Sequence, residues 1–244
     1  MTDTTHQRTA LPPGQRRIHF FPRFGRRAGQ PPPAAPAHPT VVFGGALTAP
    51  IEIAVDELVG VDRRELHADF HCVAGWSVTG LRWEGAAFAD VYQRYVAPAL
   101  VPGTTVTHVL LRGLDGEHFV AEMDDLLADD VLLADRLDGR PLDGDHGAPL
   151  PLVSPVQYGY ANIKHLCRID VLAGAPPAGS PSLLDRLLQS HARARVWEEE
   201  RHGTLPGRLV RPIYRAIKIF LLAAAARRGK TAGEPGHHSK ANNG

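Results

Sequence analysis

Cysteine is scarce in this chain, and so are long apolar runs. Only two of the 244 residues are cysteines, Cys72 and Cys167. Two widely spaced cysteines do not form the disulfide framework of a small secreted protein, so we expect a reducing compartment. No stretch approaches the roughly 18 apolar residues that cross a bilayer, so we expect no membrane-spanning helix.

The N-terminal region also lacks a complete export signal. Arg16-Arg17 precede a short apolar stretch, as they do in a twin-arginine signal. The chain then continues with Pro22-Arg23 instead of the long apolar run that such a signal needs. We therefore expect a cytoplasmic protein.

The charged residues are unevenly distributed, although the net charge is only +1. Residues 1–30 carry six basic and one acidic residue, residues 31–189 carry 10 basic and 21 acidic residues, and residues 190–244 carry 11 basic and four acidic residues. A nucleic-acid-binding protein places its basic surface on the folded domain. Here the body is acidic and only the ends are basic, so nucleic acid is not an expected partner.

Short strands with few helices predict an α+β fold with mixed sheets. Strands are predicted at residues 40–43, 51–55, 65–72, 105–112, 118–121, 131–137, 150–153 and 165–172. Helices are predicted at residues 88–96, 124–127 and 183–188, with a longer one beginning near residue 209. Asp138-Gly139 is a typical two-residue hairpin turn. The elements do not alternate regularly, which argues against a doubly wound sheet.

These elements divide the chain into three parts. Residues 1–39 form a basic, largely extended segment with a proline-rich linker, residues 40–175 form the domain, and residues 176–244 form a basic extension with a disordered tail. The extension contains an amphipathic helix. Its apolar side is formed by Ile213, Ile217, Phe220, Leu221 and Ala224, and its basic side by Arg208, Arg211, Arg215 and Lys218. Such a helix packs on its own domain or on a second copy, or it binds a membrane surface.

Residues 66–72 have the alternation of a strand with one buried face. One face would carry Leu66, Ala68, Phe70 and Cys72, and the other His67, Asp69 and His71. The Cys72 thiol should therefore point inward, and His71 should be exposed or a neighbour of a site. An inward cysteine is commonly a small core residue, which is also what we expect of Cys167. Zinc ligation by the two histidines and Cys72 would need side chains from opposite faces.

Around this strand a set of short motifs occurs in a fixed order. The first are Cys72-Val73, Trp76-Ser77, Trp83 and Gly85, and the later ones are Asp115-Gly116, residues 130–134, 137–142 and 146–150, Pro155, Tyr158-Gly159-Tyr160 and Lys164. Together they resemble the sulfite oxidase and molybdopterin-dependent oxidoreductase superfamily, over about residues 16–175. Within it, the chain is similar to the catalytic subunits of bacterial protein-methionine-sulfoxide reductases.

The resemblance implies a sulfite-oxidase-type molybdopterin-binding domain that holds a molybdenum–molybdopterin cofactor. It makes Cys72 the catalytic residue and the metal ligand, and a deprotonated thiol is a suitable soft ligand. By position, it assigns cofactor contacts to His19, Pro22, Arg23, Cys72, Gly113, His146, Asn162, Ile163 and Lys164. Lys164 is the one lysine before residue 218, and it is the expected phosphate contact. The alternative for the basic N-terminal residues is that they are simply solvated.

Two positions depart from the pattern of the superfamily. Pro151 stands where an arginine is frequent, and Glu117-His118 stand where a tyrosine commonly follows Asp-Gly. A carboxylate near the path of an anion would repel sulfite. We therefore do not expect sulfite to be the substrate.

The expected function is that of a molybdenum-dependent oxidoreductase, which performs two-electron oxygen-atom transfer on a small or sulfoxide-type substrate. A separate partner would supply or accept the electrons, because the chain has no cysteine cluster for an iron–sulfur centre. One alternative is a non-catalytic pterin-binding or interaction module, which Pro151 and Glu117 favour. Another is a peripheral membrane redox subunit, which the basic C-terminal helix favours.

Overall fold

The computed structural model describes residues 10–23, 29–175, 190–203, 205–212 and 214. Its main elements are ten strands and three short α-helices, and residues 207–212 form a further helical stretch. The strands are β1 Thr40–Gly45, β2 Ile51–Ala54, β3 Arg64–Cys72, β4 Trp76–Ala87, β5 His108–Gly113, β6 His118–Glu122, β7 Leu132–Leu137, β8 Arg140–Pro141, β9 Leu152–Val153 and β10 Leu166–Leu172. The helices are α1 Val55–Val59, α2 Phe88–Val91 and α3 Met123–Leu126. A π-helical turn Tyr92–Val96 and a 3-10 turn Ala97–Ala99 continue α2.

The strands form two five-stranded sheets. The first sheet has the order β2-β1-β10-β5-β6, in which β1 and β10 run parallel and the other neighbours run antiparallel. The second sheet has the order β3-β4-β7-β8, with β9 paired to β7, and all of its pairs are antiparallel. In the described residues the fold is thus mostly β with few short helices, which corrects the α+β class predicted from the sequence.

Two hydrophobic cores accompany the sheets. The larger one buries alternate residues of the first sheet, such as Val41, Phe43, Leu111 and Ile169. The smaller one lies on the second sheet around the end of β3. We call it the Cys72 cluster, and its buried members are Cys72, Ala74, Trp76, Val78, Leu81, Trp83, Ala87, Leu132, Ala134, Leu142 and Val153.

Most of the predicted elements are confirmed. All eight predicted strands are present, with ends shifted by at most three residues, and so are the helices predicted at 88–96 and 124–127. In the predicted hairpin, Asp138 and Gly139 have φ angles of 51° and 78°, and Leu137 pairs with Arg140. The helix predicted at 183–188 and residues 215–244 lie outside the described residues, whereas residues 207–212 are helical. In the described part of the chain, no helix is long and apolar enough to cross a membrane.

The prediction missed β4, which is the longest strand of the second sheet and contains Trp76, Ser77 and Trp83. Glycines at 80 and 85 lie within this stretch, and glycine is unfavourable inside a strand. Gly85 is required for close packing, because a Cβ there would lie 2.0 Å from the Leu133 carbonyl oxygen of the paired strand. Gly85 therefore does not end β4 but lets its backbone pack closely against that of β7.

Candidate active site around Cys72

Cys72 is the last residue of β3 and pairs with Trp76, the first residue of β4. The residue is 6% exposed and carries a thiol that is not part of a disulfide. Leu66, Ala68 and Phe70 pack against the same cluster, so the predicted inward face of this strand is confirmed. The thiol therefore lies in an apolar environment at the point where the chain reverses direction.

The turn between β3 and β4 consists of Val73, Ala74 and Gly75. Gly75 has a φ of 87°, and a Cβ at this position would lie 2.8 Å from the Gly14 carbonyl oxygen. A side chain is therefore disfavoured both by the backbone conformation and by the neighbouring segment. Glycine allows the N-terminal segment to lie directly on the turn that follows Cys72.

His71 is buried, at 7% exposure, so of its two predicted surroundings the exposed one is excluded and a position next to the site stays a prediction. The N-terminal segment runs alongside β4 at this point, where Arg17 forms a parallel β-bridge with Ser77. The Nδ1 atom of His71 lies 2.8 Å from Ser77 Oγ, and this hydroxyl donates to Gln15 Oε1 at 3.1 Å. Burial lowers the pKa of His71, and the charge of Asp69 opposes this effect. His71 is thus connected through Ser77 to Gln15, which is distant in sequence, and strand alternation cannot reveal such a contact.

Phe21 of the N-terminal segment brings a further aromatic ring to the Cys72 cluster. Its ring centroid lies 4.7 Å from that of Phe70, 6.3 Å from Trp76 and 6.1 Å from Trp83. Edge-to-face and tilted contacts of this kind are favourable for aromatic rings. Three aromatic residues of the sheet and one of the N-terminal segment therefore form an apolar wall beside Cys72.

His146 connects a loop of the domain to this aromatic wall. Its Nδ1 lies 2.7 Å from Asp143 Oδ1, and its Nε2 lies 3.2 Å from the Phe21 carbonyl oxygen. Burial opposes the ionised form of Asp143, but hydrogen bonds from the His146 backbone and ring outweigh it and lower the pKa of that carboxyl. The loop and the N-terminal segment are thus held together through one imidazole ring.

Two cations lie in the same region. The Lys164 Nζ donates to the Asp145 carbonyl oxygen at 2.5 Å and lies 5.7 Å from the Phe21 ring centroid. Arg23 lies 3.8 Å from the Asp145 carboxylate and donates to the Gln30 carbonyl oxygen. Burial and the positive charge of Arg23 lower the pKa of Lys164 to about 8, although nearby acidic groups oppose this. Lys164 and Arg23 thus place two cations beside Phe21, with the carboxylates of Asp143 and Asp145 close by, and such cations can also bind an anionic group.

Other predicted contact residues use their side chains within the protein. The Asn162 Oδ1 accepts from the Ser154 N–H, and its Nδ2 donates to the Ser154 and Tyr158 carbonyl oxygens at 3.3 Å each. Ile163 is buried in the larger core. These contacts hold the backbone of residues 162 and 163, which immediately precede Lys164 in the chain.

The remaining predicted residues have different surroundings. Pro22 is buried, whereas His19 is exposed. Gly113 ends β5, and a Cβ there would lie 2.4 Å from the Lys164 carbonyl oxygen. Gly113 therefore allows the backbone of Lys164 to pass close to the first sheet.

The two departures from the superfamily pattern have clear positions. Glu117 lies in the turn between β5 and β6, where its N–H donates to Asp115 Oδ1 at 3.0 Å and its carbonyl oxygen accepts from the Gly113 N–H at 2.9 Å. Pro151 is buried, and its carbonyl oxygen accepts from the Ala134 N–H at 3.1 Å. Glu117 is thus linked through Gly113 to the backbone that carries Lys164.

Cys167 differs from its prediction as a core residue. It is half-buried, and it lies where the register between β10 and β5 shifts from Leu166 to Arg168. Such a bulge interrupts the alternation of inward and outward side chains. Burial raises the pKa of the Cys167 thiol, so it is a less reactive thiol than an exposed one.

Sequence reasoning did not identify the residues from the C-terminal part of the chain that reach this site. Tyr214 packs against the Cys72 cluster, and its hydroxyl lies 2.8 Å from His202 Nε2. Burial and the charge of Cys72 raise the pKa of Tyr214. Arg201 also approaches the turn after Cys72. No spacing or motif marks these residues, because they lie 129 to 142 positions from Cys72 in the sequence.

The site fits a metal that arrives with ligands of its own. In the ranges that the structure describes, no three His, Cys, Asp or Glu side chains converge to hold a metal ion, so Cys72 offers a single soft ligand. Trp83 Nε1 is buried and has no acceptor among these residues, so it can donate to a bound group. An anionic organic cofactor that carries a metal would match this thiol, this donor and the two cations.

Comparison with known proteins agrees with this chemistry. Residues 28–178 match the family described as oxidoreductase molybdopterin binding domain. The chain is 31% identical over 152 residues to the protein-methionine-sulfoxide reductase catalytic subunit MsrP of Xanthomonas axonopodis pv. citri, with 56% of this chain and 46% of that protein covered. It is 30% identical over 122 residues to the uncharacterized oxidoreductase YuiH of Bacillus subtilis, with 50% of this chain and 59% of that protein covered.

Among solved structures, the sulfane dehydrogenase SoxCD from Paracoccus pantotrophus matches with a TM-score of 0.50 and 20% sequence identity. The match covers 65% of this chain and 44% of that chain, and at this identity it concerns the fold. The chain spans about half the length of the curated relatives that it matches.

Proposed function

The chain belongs to the oxidoreductase molybdopterin-binding domain family, and we propose that it is a molybdenum-cofactor-dependent oxidoreductase that performs two-electron oxygen-atom transfer on a sulfoxide-type substrate. The observation that carries this proposal is the buried Cys72 thiol beside the cation pair of Lys164 and Arg23. A thiol alone suits a core, and a cation pair alone suits a surface. A buried thiol with two cations beside the same apolar cluster suits a metal with an anionic organic ligand.

The residues of the chain have distinct roles in this proposal. The bound cofactor would supply the two-electron redox chemistry of its metal. Cys72 would ligate the metal as a thiolate, and Lys164 with Arg23 would bind the phosphate through charge-assisted hydrogen bonds. Phe21 and Trp83 would exclude water from the thiol, since their rings cover the cluster. His146, held by Asp143, would keep Phe21 in place.

The substrate part of the proposal has two supports. The Xanthomonas relative is named as a protein-methionine-sulfoxide reductase. In this chain, Glu117 adds a negative charge to the turn that contacts Gly113, and Pro151 stands where an arginine is frequent in the superfamily. Both changes disfavour an anion such as sulfite relative to a neutral sulfoxide.

A partner and a location complete the proposal. The Xanthomonas relative is named as a catalytic subunit, which supports a separate electron-transfer partner for this chain as well. The proposed location is the cytoplasm, where the basic residues near the C-terminal end would contact an anionic membrane surface.

Metal analysis of the purified protein tests the proposal. Expressed in a host that makes the cofactor, the wild-type chain should contain about one molybdenum per chain, as expected for one thiolate ligand and one cofactor. Cys72→Ser should remove most of this metal, whereas Cys167→Ser, the matched control, should retain it. Wild-type protein should also reduce methionine sulfoxide with a reduced viologen dye as electron donor.

The second candidate is a non-catalytic pterin-binding module, which Pro151 and Glu117 favour because they remove a cation and add an anion. A folded wild-type protein without molybdenum would refute the oxidoreductase proposal and leave an interaction module. A protein that binds the cofactor but reduces neither sulfoxides nor N-oxides would support the pterin-binding module.

A further inference from the structure

The turn after Cys72 is held by groups that lie outside the matched domain, which covers residues 28–178. The Cys72 carbonyl oxygen accepts from the Gly75 N–H at 2.9 Å and from Gln15 Nε2 at 3.1 Å. The Gly75 carbonyl oxygen accepts from the Arg16 N–H at 3.1 Å. The Val73 carbonyl oxygen accepts from Arg201 Nη1. Backbone groups on both sides of the turn are thus bound by the N-terminal segment and by one C-terminal side chain.

Arg201 is a buried cation with a defined set of contacts. It is 1% exposed, its Nη2 donates to the Pro13 carbonyl oxygen at 3.3 Å, and its Cζ lies 4.9 Å from the Tyr158 ring centroid. The nearest carboxylate oxygen, on Glu199, is 3.8 Å away, and Arg211 pairs with that same carboxylate. The planar guanidinium therefore joins the turn after Cys72 to the N-terminal segment with two separate donors.

Burying a cation is unfavourable unless its hydrogen bonds and neighbours compensate for the lost water. Arg201 obtains this compensation from two backbone carbonyls, an aromatic ring and the Glu199 carboxylate, which it shares with Arg211, and its Nε has no acceptor among the described residues. An apolar side chain of the same length would be less costly to bury. What a guanidinium offers here and an apolar side chain does not is a pair of donors, one for the carbonyl oxygen of Val73, next to Cys72, and one for that of Pro13.

We propose that Arg201 is a positioning residue for Cys72, and that its hydrogen bond to Val73 fixes the backbone turn so that the thiol points in one direction toward the metal. The proposal rests on the proposed function, since the metal is the group toward which the thiol must point. The direction of Sγ depends on the backbone at residue 72, and the conformation of this turn sets that backbone. Partners that orient a ligand in this way tune both the affinity and the electronic properties of a metal site.

The first experiment measures how accessible the Cys72 thiol is in the cofactor-free protein. The full chain is produced in a host that cannot make the cofactor, and iodoacetamide alkylation of Cys72 is followed by mass spectrometry with Cys167 as an internal reference. Arg201→Met should increase the ratio of the Cys72 rate to the Cys167 rate about ten-fold or more, because a freed turn opens more often. Arg201→Lys should give an intermediate ratio, because an ammonium group keeps the positive charge but cannot place two donors as the planar guanidinium does.

Arg193→Gln is the matched control. Arg193 lies in the same C-terminal segment and binds Asp125 at 2.5 and 3.0 Å, but it does not contact the turn. Its variant should leave the alkylation ratio unchanged. The proposal is overturned if Arg201→Met has the same alkylation ratio as wild type. It is also overturned if Arg193→Gln raises the ratio as much as Arg201→Met does, because packing of the whole C-terminal segment, and not the Arg201 hydrogen bond, would then protect Cys72.

The second experiment compares the spectra of the metal site in the cofactor-bound protein. With molybdenum content matched between samples, Arg201→Met should shift the thiolate-to-metal absorption band and the Mo(V) paramagnetic resonance signal, whereas Arg193→Gln should not. Unchanged spectra in Arg201→Met would overturn the proposal. If Arg201→Met does not fold, Arg201→Lys and Gln15→Met, which removes the donor to the Cys72 carbonyl, carry both tests. A wild-type protein without molybdenum would contradict the proposed function, yet the alkylation ratios would still decide whether Arg201 holds the turn.

Discussion

Lys164 allows a direct test of the charge arrangement beside Cys72. Burial and the charge of Arg23 lower its pKa from 10.5 to about 8 in the folded chain. As the pH rises from 8 to 10.5, the folded chain loses this proton before the unfolded chain does, so the unfolded state binds more protons in this window. The stability of the cofactor-free wild-type chain should therefore rise over this pH range, relative to a Lys164→Met variant.

The size of the effect follows from the two pKa values. The difference between 10.5 and about 8 corresponds to about 3 kcal/mol at most, and the partial exposure of the side chain makes the real value smaller. Below pH 8, the protonated amine destabilises the folded state, and Lys164→Met should then be more stable than wild type. This advantage should shrink by about 2 kcal/mol on going to pH 10.

Urea unfolding followed by tryptophan fluorescence measures this difference at pH 7 and pH 10. Burial also raises the pKa of Tyr160 and of Tyr214. These residues are present in both chains, so the difference between wild type and variant isolates Lys164. Added inorganic phosphate should move the rise in stability to higher pH, because an anion favours the protonated amine. The reasoning would be refuted if wild type and Lys164→Met differed in stability by the same amount at pH 7 and pH 10, both with and without phosphate.

Three further predictions use other parts of the site. Gly75→Ala should lower the free energy of unfolding by about 1 to 3 kcal/mol, because the turn needs a positive φ and lies against Gly14; an unchanged urea midpoint would contradict this. Phe21→Ala should reduce the molybdenum content and shift the tryptophan emission to longer wavelength, because it opens the aromatic wall, whereas Phe20→Ala, at an exposed residue, should change neither. Glu117→Gln should improve sulfite turnover more than sulfoxide turnover, with the gain fading as salt rises, and equal effects on both substrates would place Glu117 away from the substrate.

The sequence predicted the elements whose signals are local. The eight strands have apolar alternation or short apolar runs, and the Asp138-Gly139 turn needs only its own two residues. The direction of the Cys72 thiol followed from alternation as well. The strand β4 was missed because its glycines serve contacts with a neighbouring strand, which is information that its own stretch of sequence does not contain.

The rest of the site depends on contacts between distant parts of the chain. His71 is connected through Ser77 to Gln15, which is distant in sequence, and Cys167 turns outward at a bulge that depends on the register with β5. The family resemblance named Lys164 and His146 as cofactor contacts, and the structure brings both to Phe21, where each of these roles stays a prediction. Arg201 has no motif of its own, so only the folded chain reveals its place.

The backbone around Cys72 is bound by segments that belong to neither sheet. The sheets set where the cysteine stands, but Gln15, Arg16 and Arg201 bind the backbone around it. Substitutions in these two flanking segments can adjust the environment of the thiol without disturbing a single strand pair. On the proposal for Arg201, the reactivity of Cys72 would thus be adjustable from segments that belong to neither sheet.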